Sequence, residues 1–271
     1  MTDQLIERIE DGVATLTMNR PEARNALTGE MQTALQEAIP RLAEDRKVRV
    51  VVITGAGRAF CAGGDVKGFA AATAASEGGG ETERFSLEQR AHSLRRASDV
   101  CRWLYEMPKP TLAVIPGPAA GAGLSIALAC DLRIAADDAK LTTAFSKVGL
   151  AGDYGGSYFL TQLVGAAKAR ELYFTADVIT GKEALALGIV NKAVPADELE
   201  AVAHDYAHYL AGLPTLAIGY MKKNLNAAQT STLSQVLDVE APHMVRTMMT
   251  EDHKAASAAF VAKTKPVFNA R

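Results

Sequence analysis

The sequence contains few cysteines and no strong excess of charge of either sign. Its three cysteines, Cys61, Cys101 and Cys130, are widely spread, which excludes a disulfide framework and a CxxC metal pair. The 29 Lys and Arg residues against 31 Asp and Glu residues leave a net charge of −2. Overall charge therefore does not indicate a nucleic-acid-binding or polybasic membrane protein, and we expect neither partner.

The N-terminal segment lacks the apolar core of a secretory signal. Residues 1–12, MTDQLIERIEDG, carry charges throughout. Together with the unpaired cysteines, this predicts a reduced, cytoplasmic protein. A length of 271 residues allows one large domain or two ordinary ones, and the hydrophobic content of 48% is sufficient for a core.

One segment, Thr111–Cys130, lacks charge entirely and has the nominal length of a membrane-spanning helix. Its prolines and glycines would break such a helix repeatedly: Pro116, Gly117, Pro118, Gly121 and Gly123. We therefore predict a buried strand, a glycine-rich turn and a buried helix instead of a membrane span.

Strand and helix patterns alternate along the first two thirds of the chain. A hairpin is predicted around the Asp11-Gly12 turn, and Thr28 is expected to cap a helix that Pro40 bends or ends. The predicted strands are Leu5–Glu10, Val13–Met18, Val48–Thr54, Thr111–Ile115 and Leu132–Ala135. This alternation indicates an α/β architecture.

Two other regions differ from this pattern. Residues 70–83 are small, polar and glycine-rich, and are predicted to form a mobile surface insertion. From about Ala196 the strand signals fade, and four helices are predicted over Glu198–Leu210, Thr215–Ala228, Leu233–Met249 and Glu251–Lys263.

Three glycine-rich turns are candidates for chemistry. The first, Phe60–Asp65, and the second, Gly117–Ser125, could bring backbone N–H groups to an anionic oxygen, or could be tight turns with helix caps. A dinucleotide fingerprint in the second turn would need a third glycine at Ile126, so that motif fails.

The third turn, Gly149–Ser157, contains an acid. Asp153 lies among glycines just before the predicted helical run Tyr158–Val164. It could cap that helix, or its carboxylate could lie in a close-walled turn where its pKa rises and it accepts protons.

Other reactive side chains do not form recognisable sites. His204 and His208 have helical zinc-ligand spacing, but no Glu-x-x pattern and no third ligand accompany them, so we expect an exposed helix face and no metal. Cys61 is expected to be a small packing residue.

Taken together, these segments resemble the crotonase family, also called the enoyl-CoA hydratase/isomerase family, over essentially the whole chain. The resemblance is carried by residues 18–27, 59–65, 117–131, 165–172, 184–190 and 265–268. It implies an α/β crotonase-like spiral of ββα turns over residues 1–195, containing a CoA-thioester site. It also implies a helical trimerisation region over residues 196–271, and assembly as a homotrimer or a dimer of trimers.

The resemblance further implies an acyl-CoA substrate and no separate cofactor, because coenzyme A enters as part of the thioester. In the family two backbone amides bind the thioester oxygen, and the matching positions here are Gly64 and Ala122. The positions that match the family's CoA-binding segments are Arg24, Ala26, Ala62, Asp65 and Val66.

The family's catalytic acids are where this sequence departs from the hydratases. Ser125 and Phe145 stand where hydratases carry two glutamates, and they would form part of the acyl pocket. Asp153 matches the position of the proton-carrying carboxylate in several isomerases of the family. The resemblance thus favours an isomerase that acts on an enoyl-CoA through a thioester enolate, with Asp153 as proton shuttle.

Three alternatives stay open at the level of sequence. The first is an enoyl-CoA hydratase that positions water with Asp153, either alone or together with Ser125. The second is a non-catalytic CoA-thioester-binding protein, which the loss of both glutamates would suit. An NAD-dependent oxidoreductase rests only on Gly121-x-Gly123.

Overall fold

The computed structural model describes residues 2–65 and 86–270. Val66 and the predicted insertion at 70–83 lie outside the described residues, as does any helix that the first glycine turn would open.

A six-stranded sheet forms the centre of the molecule. Its strands are β1 (Leu5–Glu10), β2 (Val13–Met18), β3 (Val50–Gly55), β4 (Thr111–Ile115), β6 (Leu132–Ala136) and β9 (Lys192–Val194), in the order β1-β2-β3-β4-β6-β9. The β1–β2 hairpin is antiparallel, and all other pairs are parallel. The predicted hairpin is confirmed.

A second sheet has three short strands, and the chain enters it after leaving a strand of the large sheet. It contains β5 (Ala119–Ala120), β7 (Lys140–Thr142) and β8 (Ile179–Thr180), and Cys61 joins its edge through a bridge to Ala119. The chain repeatedly runs from the large sheet to the small sheet and then into a helix. This repetition is a spiral of ββα turns, so the predicted fold is confirmed.

The described helices follow the strands or form the C-terminal part. They are α1 (Gly29–Glu44), α2 (Leu87–Ala97), α3 (Asp99–Glu106), α4 (Ala122–Ala129), α5 (Gly156–Thr175), α6 (Gly181–Ala186), α7 (Leu199–Ala211), α8 (Thr215–Ala228), α9 (Leu233–Met248) and α10 (Glu251–Ala262). Short 3₁₀ turns lie at Pro21–Ala23 and Ser146–Val148.

Helix α1 illustrates how the sequence specifies a local element. The Thr28 hydroxyl accepts a hydrogen bond from Met31 N–H (3.1 Å) and caps the helix. The helix continues past Pro40 to Glu44, although a proline removes one backbone donor. Leu42, beyond the proline, is completely buried, so its packing favours the last turn.

The charge-free segment folds as its prolines and glycines predict. It forms strand β4, the turn that contains β5, and helix α4, in which every residue is buried. A helix buried on all sides needs apolar residues around its whole circumference, which explains the lack of charge. None of the described helices is both long enough and apolar enough to cross a membrane.

Two elements differ from their predicted bounds by more than one residue. Strand β3 begins at Val50, because Val48 still belongs to the turn that follows α1. Helix α5 extends the predicted run Tyr158–Val164 in both directions, with a break at Gly165 (φ +76°) that separates two helical halves. After strand β9 the described chain contains only helices.

Candidate active site

The first two glycine-rich turns lie side by side. The Cys61 carbonyl accepts a hydrogen bond from Ala120 N–H (2.9 Å), which fixes the turns against each other. A Cβ on Gly63 (φ +92°) would lie 2.9 Å from the Ala120 oxygen and 3.6 Å from the Ala122 nitrogen. A Cβ on Gly123 would lie only 2.3 Å from the Cys61 oxygen. Glycine is therefore required for this close backbone approach.

The Ala122 N–H is the first of helix α4. The first N–H of an α-helix has no acceptor within the helix, and the preceding Gly121 (φ +52°) provides no side-chain cap. Ala122 is buried, so an acceptor at this position would be shielded from water.

Gly64 forms a parallel bridge with Leu27 without using its own N–H. Leu27 N–H donates to Gly63 O (2.8 Å), and Asp65 N–H donates to Leu27 O (3.3 Å). Leu27 is therefore hydrogen-bonded to the residues before and after Gly64, and not to Gly64 itself. The Gly64 N–H points away from Leu27, as alternation along a strand requires. Among the described residues, neither Gly64 nor Ala122 donates a backbone hydrogen bond.

Asp153 lies in a turn with unusual backbone geometry. Gly152 (φ +108°), Tyr154 (φ +52°) and Gly155 (φ +72°) all have positive φ. Gly155 precedes helix α5 and no side chain caps that helix, so the helix-cap interpretation of Asp153 is wrong. Only its carbonyl contributes, accepting from Gly156 N–H (3.1 Å).

The Asp153 carboxyl is partly buried, and none of the residues in 2–65 and 86–270 forms an ion pair with it. Its Oδ1 is buried and has no hydrogen-bond partner among the described residues. Burial raises the pKa of the Asp153 carboxyl above its ordinary value. The group is thus placed as a proton acceptor requires.

Ser125 and Phe145 lie beside the third turn. A Cβ on Gly156 would lie 2.3 Å from Ser125 Oγ, and a Cβ on Gly152 would lie 3.6 Å from the Phe145 ring. The Ser125 hydroxyl donates to Gly121 O (3.2 Å) and is buried. These contacts bring two of the predicted pocket residues close to the backbone around Asp153.

Tyr173 was not identified from the sequence. Its ring stacks on Phe145 with centroids 6.0 Å apart and an angle of 14° between the planes. Burial, followed by the charge of Asp153, raises the pKa of the Tyr173 phenol to about 12. Tyr173 follows the break at Gly165, and no sequence pattern connects it to the turn that it contacts.

The predicted CoA-binding residues lie near the start of the first turn. Ala62 N–H donates to Arg24 O (2.9 Å), which joins two exposed residues of the predicted set. Ala26 is buried, and its carbonyl accepts from Arg20 Nη1 (3.0 Å). Asp65 forms an ion pair with the same guanidinium at 3.4 Å.

Arg20 is the residue that sequence analysis missed in this group. It precedes the 3₁₀ turn Pro21–Ala23 and reaches both Ala26 and Asp65. The only available signal was its place in the motif at residues 18–27, which does not reveal its partners.

The other reactive side chains lie apart from this arrangement. His204 is exposed and His208 half-buried on helix α7, with ring centroids 4.1 Å apart, and the described residues hold no cluster of three metal-ligating side chains. Cys61 is completely buried, and burial raises the pKa of its thiol to about 12, which suits a packing residue.

Comparisons with known proteins agree with this fold. The family model described as enoyl-CoA hydratase/isomerase matches residues 8–271. The 1,2-epoxyphenylacetyl-CoA isomerase of Escherichia coli (strain K12) is 34% identical over 100% of both chains. The short-chain-enoyl-CoA hydratase of Clostridium acetobutylicum is 32% identical over 94% of each.

A solved structure shows the same architecture. The enoyl-CoA hydratase from Polaromonas sp. JS666 superimposes with a TM-score of 0.88 at 34% identity, covering 97% of this chain and 99% of that one. The spiral fold and the paired glycine turns define a crotonase-like enzyme. The chain belongs to the enoyl-CoA hydratase/isomerase family.

Proposed function

We propose that this protein is an acyl-CoA isomerase that moves a double bond, or makes a related rearrangement, in an enoyl-CoA. The observation that carries the proposal is the Asp153 carboxyl, which is partly buried and has an unpartnered Oδ1 and a raised pKa. It lies beside Ser125 and Phe145, neither of which has a carboxyl group.

The proposed substrate is held at its thioester. The Gly64 and Ala122 N–H groups would donate to the thioester oxygen, and Arg24, Ala26, Ala62, Asp65 and Val66 would hold the CoA portion. Removal of a proton beside the thioester carbonyl places negative charge on that oxygen. One preorganised donor to such an oxyanion typically contributes about 3–4 kcal/mol to the transition state.

Asp153 would then act as a proton shuttle. Its carboxylate takes a proton from C2 of a 3-enoyl-CoA, which leaves a conjugated enolate on the oxygen. The protonated carboxyl returns the proton at C4, the double bond moves to C2–C3, and the carboxylate is regenerated. One carboxylate suffices because no other atom is gained or lost.

The residues at positions 125 and 145 favour isomerisation over hydration. Adding water needs a group that activates the water and a group that supplies a proton. Phe145 cannot hydrogen-bond through its side chain, and Ser125 has no carboxyl proton to transfer. The relatives include proteins named isomerase and proteins named hydratase, so the names agree with either chemistry. Hydratase activity is the second candidate.

The test is a mass-resolved assay in deuterated water with a 2-enoyl-CoA and a 3-enoyl-CoA. We expect the double bond to move without a gain of water, with deuterium entering the product only to the extent that the protonated Asp153 carboxyl exchanges with solvent before it returns the proton. The Asp153→Asn variant should lose at least about 10²-fold in kcat, as expected for loss of a general base.

The matched control is Asp205→Asn, whose side chain is 87% exposed on helix α7 and which should keep wild-type turnover. Rapid gain of water would instead establish a hydratase. Tight acyl-CoA binding without turnover of any substrate, including ring-derived thioesters, would establish a binding protein. Unchanged isomerisation by Asp153→Asn would reject the mechanism.

A further inference from the structure

Tyr154 has a buried hydroxyl without a partner. The residue is only 4% exposed, and its OH has no hydrogen-bond partner among the described residues. A buried tyrosine hydroxyl normally finds a partner, because leaving it unpaired costs free energy. Packing of the ring would be served equally well by phenylalanine, so it does not explain why a tyrosine is found at this position.

The backbone at Tyr154 is also unfavourable. Its φ of +52° is in the left-handed region, where bulky residues are rare. The flanking Gly152 and Gly155 adopt positive φ without that penalty. Strain of this kind persists where the surroundings fix the residue, and it is concentrated at functional sites.

The phenol belongs to the residue that directly follows Asp153 in the third glycine turn, and it is buried there. Burial raises the pKa of Tyr154, and negative charges on Cys101, Asp153 and Cys61 would each raise it further. Cys101 belongs to helix α3, Cys61 to the first glycine turn, and Asp153 to the third. The hydroxyl thus keeps its proton and is available as a donor.

An acyl chain made only of carbon and hydrogen contains no acceptor for a hydrogen bond from the Tyr154 hydroxyl. We propose that Tyr154 is a specificity-determining residue whose hydroxyl donates a hydrogen bond to an oxygen atom of the acyl chain beyond the thioester carbonyl. The protein then selects oxygen-bearing enoyl-CoA substrates. This inference rests on the proposed function for its catalytic consequence, although its binding consequence is independent of turnover.

The test compares acyl groups of equal length in which one methylene is replaced by an ether oxygen. The probes are trans-3-octenoyl-CoA and its 6-oxa and 7-oxa ethers, because an ether oxygen accepts a hydrogen bond and cannot donate one. Wild-type kcat/KM should be about tenfold higher for at least one ether than for the hydrocarbon. Tyr154→Phe should remove this preference, whereas Tyr209→Phe, at an exposed position on helix α7, should retain it.

A binding measurement separates this inference from the proposed reaction. Dissociation constants are measured for octanoyl-CoA and its 6-oxa and 7-oxa ethers, which cannot isomerise. If the wild type prefers an ether and Tyr154→Phe does not, the inference stands even where no isomerisation occurs. Equal affinity of the wild type for all three, or an equal loss by the variant for all three, would overturn it.

Thermal unfolding provides a further check on the hydroxyl. Since the OH has no described partner, Tyr154→Phe should have a melting temperature equal to or above that of the wild type. A lower melting temperature would mean that the hydroxyl has a structural partner in the free protein, and would count against the inference.

Discussion

At the scale of single residues, the environment of Asp153 determines the pH dependence of activity. A proton acceptor must be deprotonated, and burial raises the pKa of this carboxyl. We therefore expect kcat for isomerisation to rise with pH through a pKa above the ordinary aspartate value of 3.8. A pH profile with a 3-enoyl-CoA measures this. A profile that is flat throughout the acidic range, with the protein folded, would contradict it.

The same carboxyl should reduce stability once it is ionised. Because its folded pKa is raised, the folded state holds its proton more tightly than the unfolded state. Relative to high pH, this tighter proton binding stabilises the folded state. The stabilisation is fully present below the unfolded pKa and is lost as pH rises through the folded pKa. Asp153→Asn should therefore melt at a higher temperature than the wild type at neutral pH. The difference should become smaller as pH falls through the raised pKa, and thermal scans at several pH values test this.

At the scale of elements, the contact between the first two turns depends on Gly123. A Cβ there would lie 2.3 Å from the Cys61 oxygen and 2.7 Å from Cys61 Cβ, so the turns would have to separate. Gly123→Ala should destabilise the fold by about 1–3 kcal/mol, as overpacking does. It should also reduce kcat more than thioester affinity, since the separated amides would fit the oxyanion less well.

The matched control for this prediction is Gly29→Ala. Gly29 is the first residue of helix α1, and a Cβ there would have no neighbour within 4 Å. Urea unfolding of both variants measures the change in the free energy of unfolding, and steady-state kinetics measure the change in kcat. A Gly123→Ala variant as stable and active as Gly29→Ala would show that the approach of the turns is not required.

How well the sequence predicts an element depends on how local its cause is. The start of helix α1 and the β1–β2 hairpin follow from a cap, a turn and a periodic pattern within a few residues, and both match the structure, whereas the early end that Pro40 allowed does not occur. The two contacts of Arg20 and the stacking of Tyr173 on Phe145 depend on segments distant in sequence. Such pairings arise only from the spiral itself, so the sequence predicted the motif residues but not their neighbours.

At the scale of the whole molecule, the C-terminal helices expose a large apolar surface. Helix α9 has no buried residue, and its apolar side chains Leu237 and Met244 are 54% and 63% exposed. Phe260 on helix α10 is 85% exposed. Apolar surface of this extent in a helical region is typical of a subunit interface. We therefore propose that these helices form a subunit interface, in the trimer or pair of trimers that the family resemblance implies.

This assembly can be tested by placing a charge in the apolar surface. Light scattering should give the mass of three or six chains for the wild type. Leu237→Glu should shift the mass towards the monomer, because an unpaired charge in an interface is costly to desolvate. Thr33→Glu, which places the same charge on an exposed position of helix α1, should leave the mass unchanged. A monomeric wild type, or a Leu237→Glu variant with the wild-type mass, would show that this surface is not the interface.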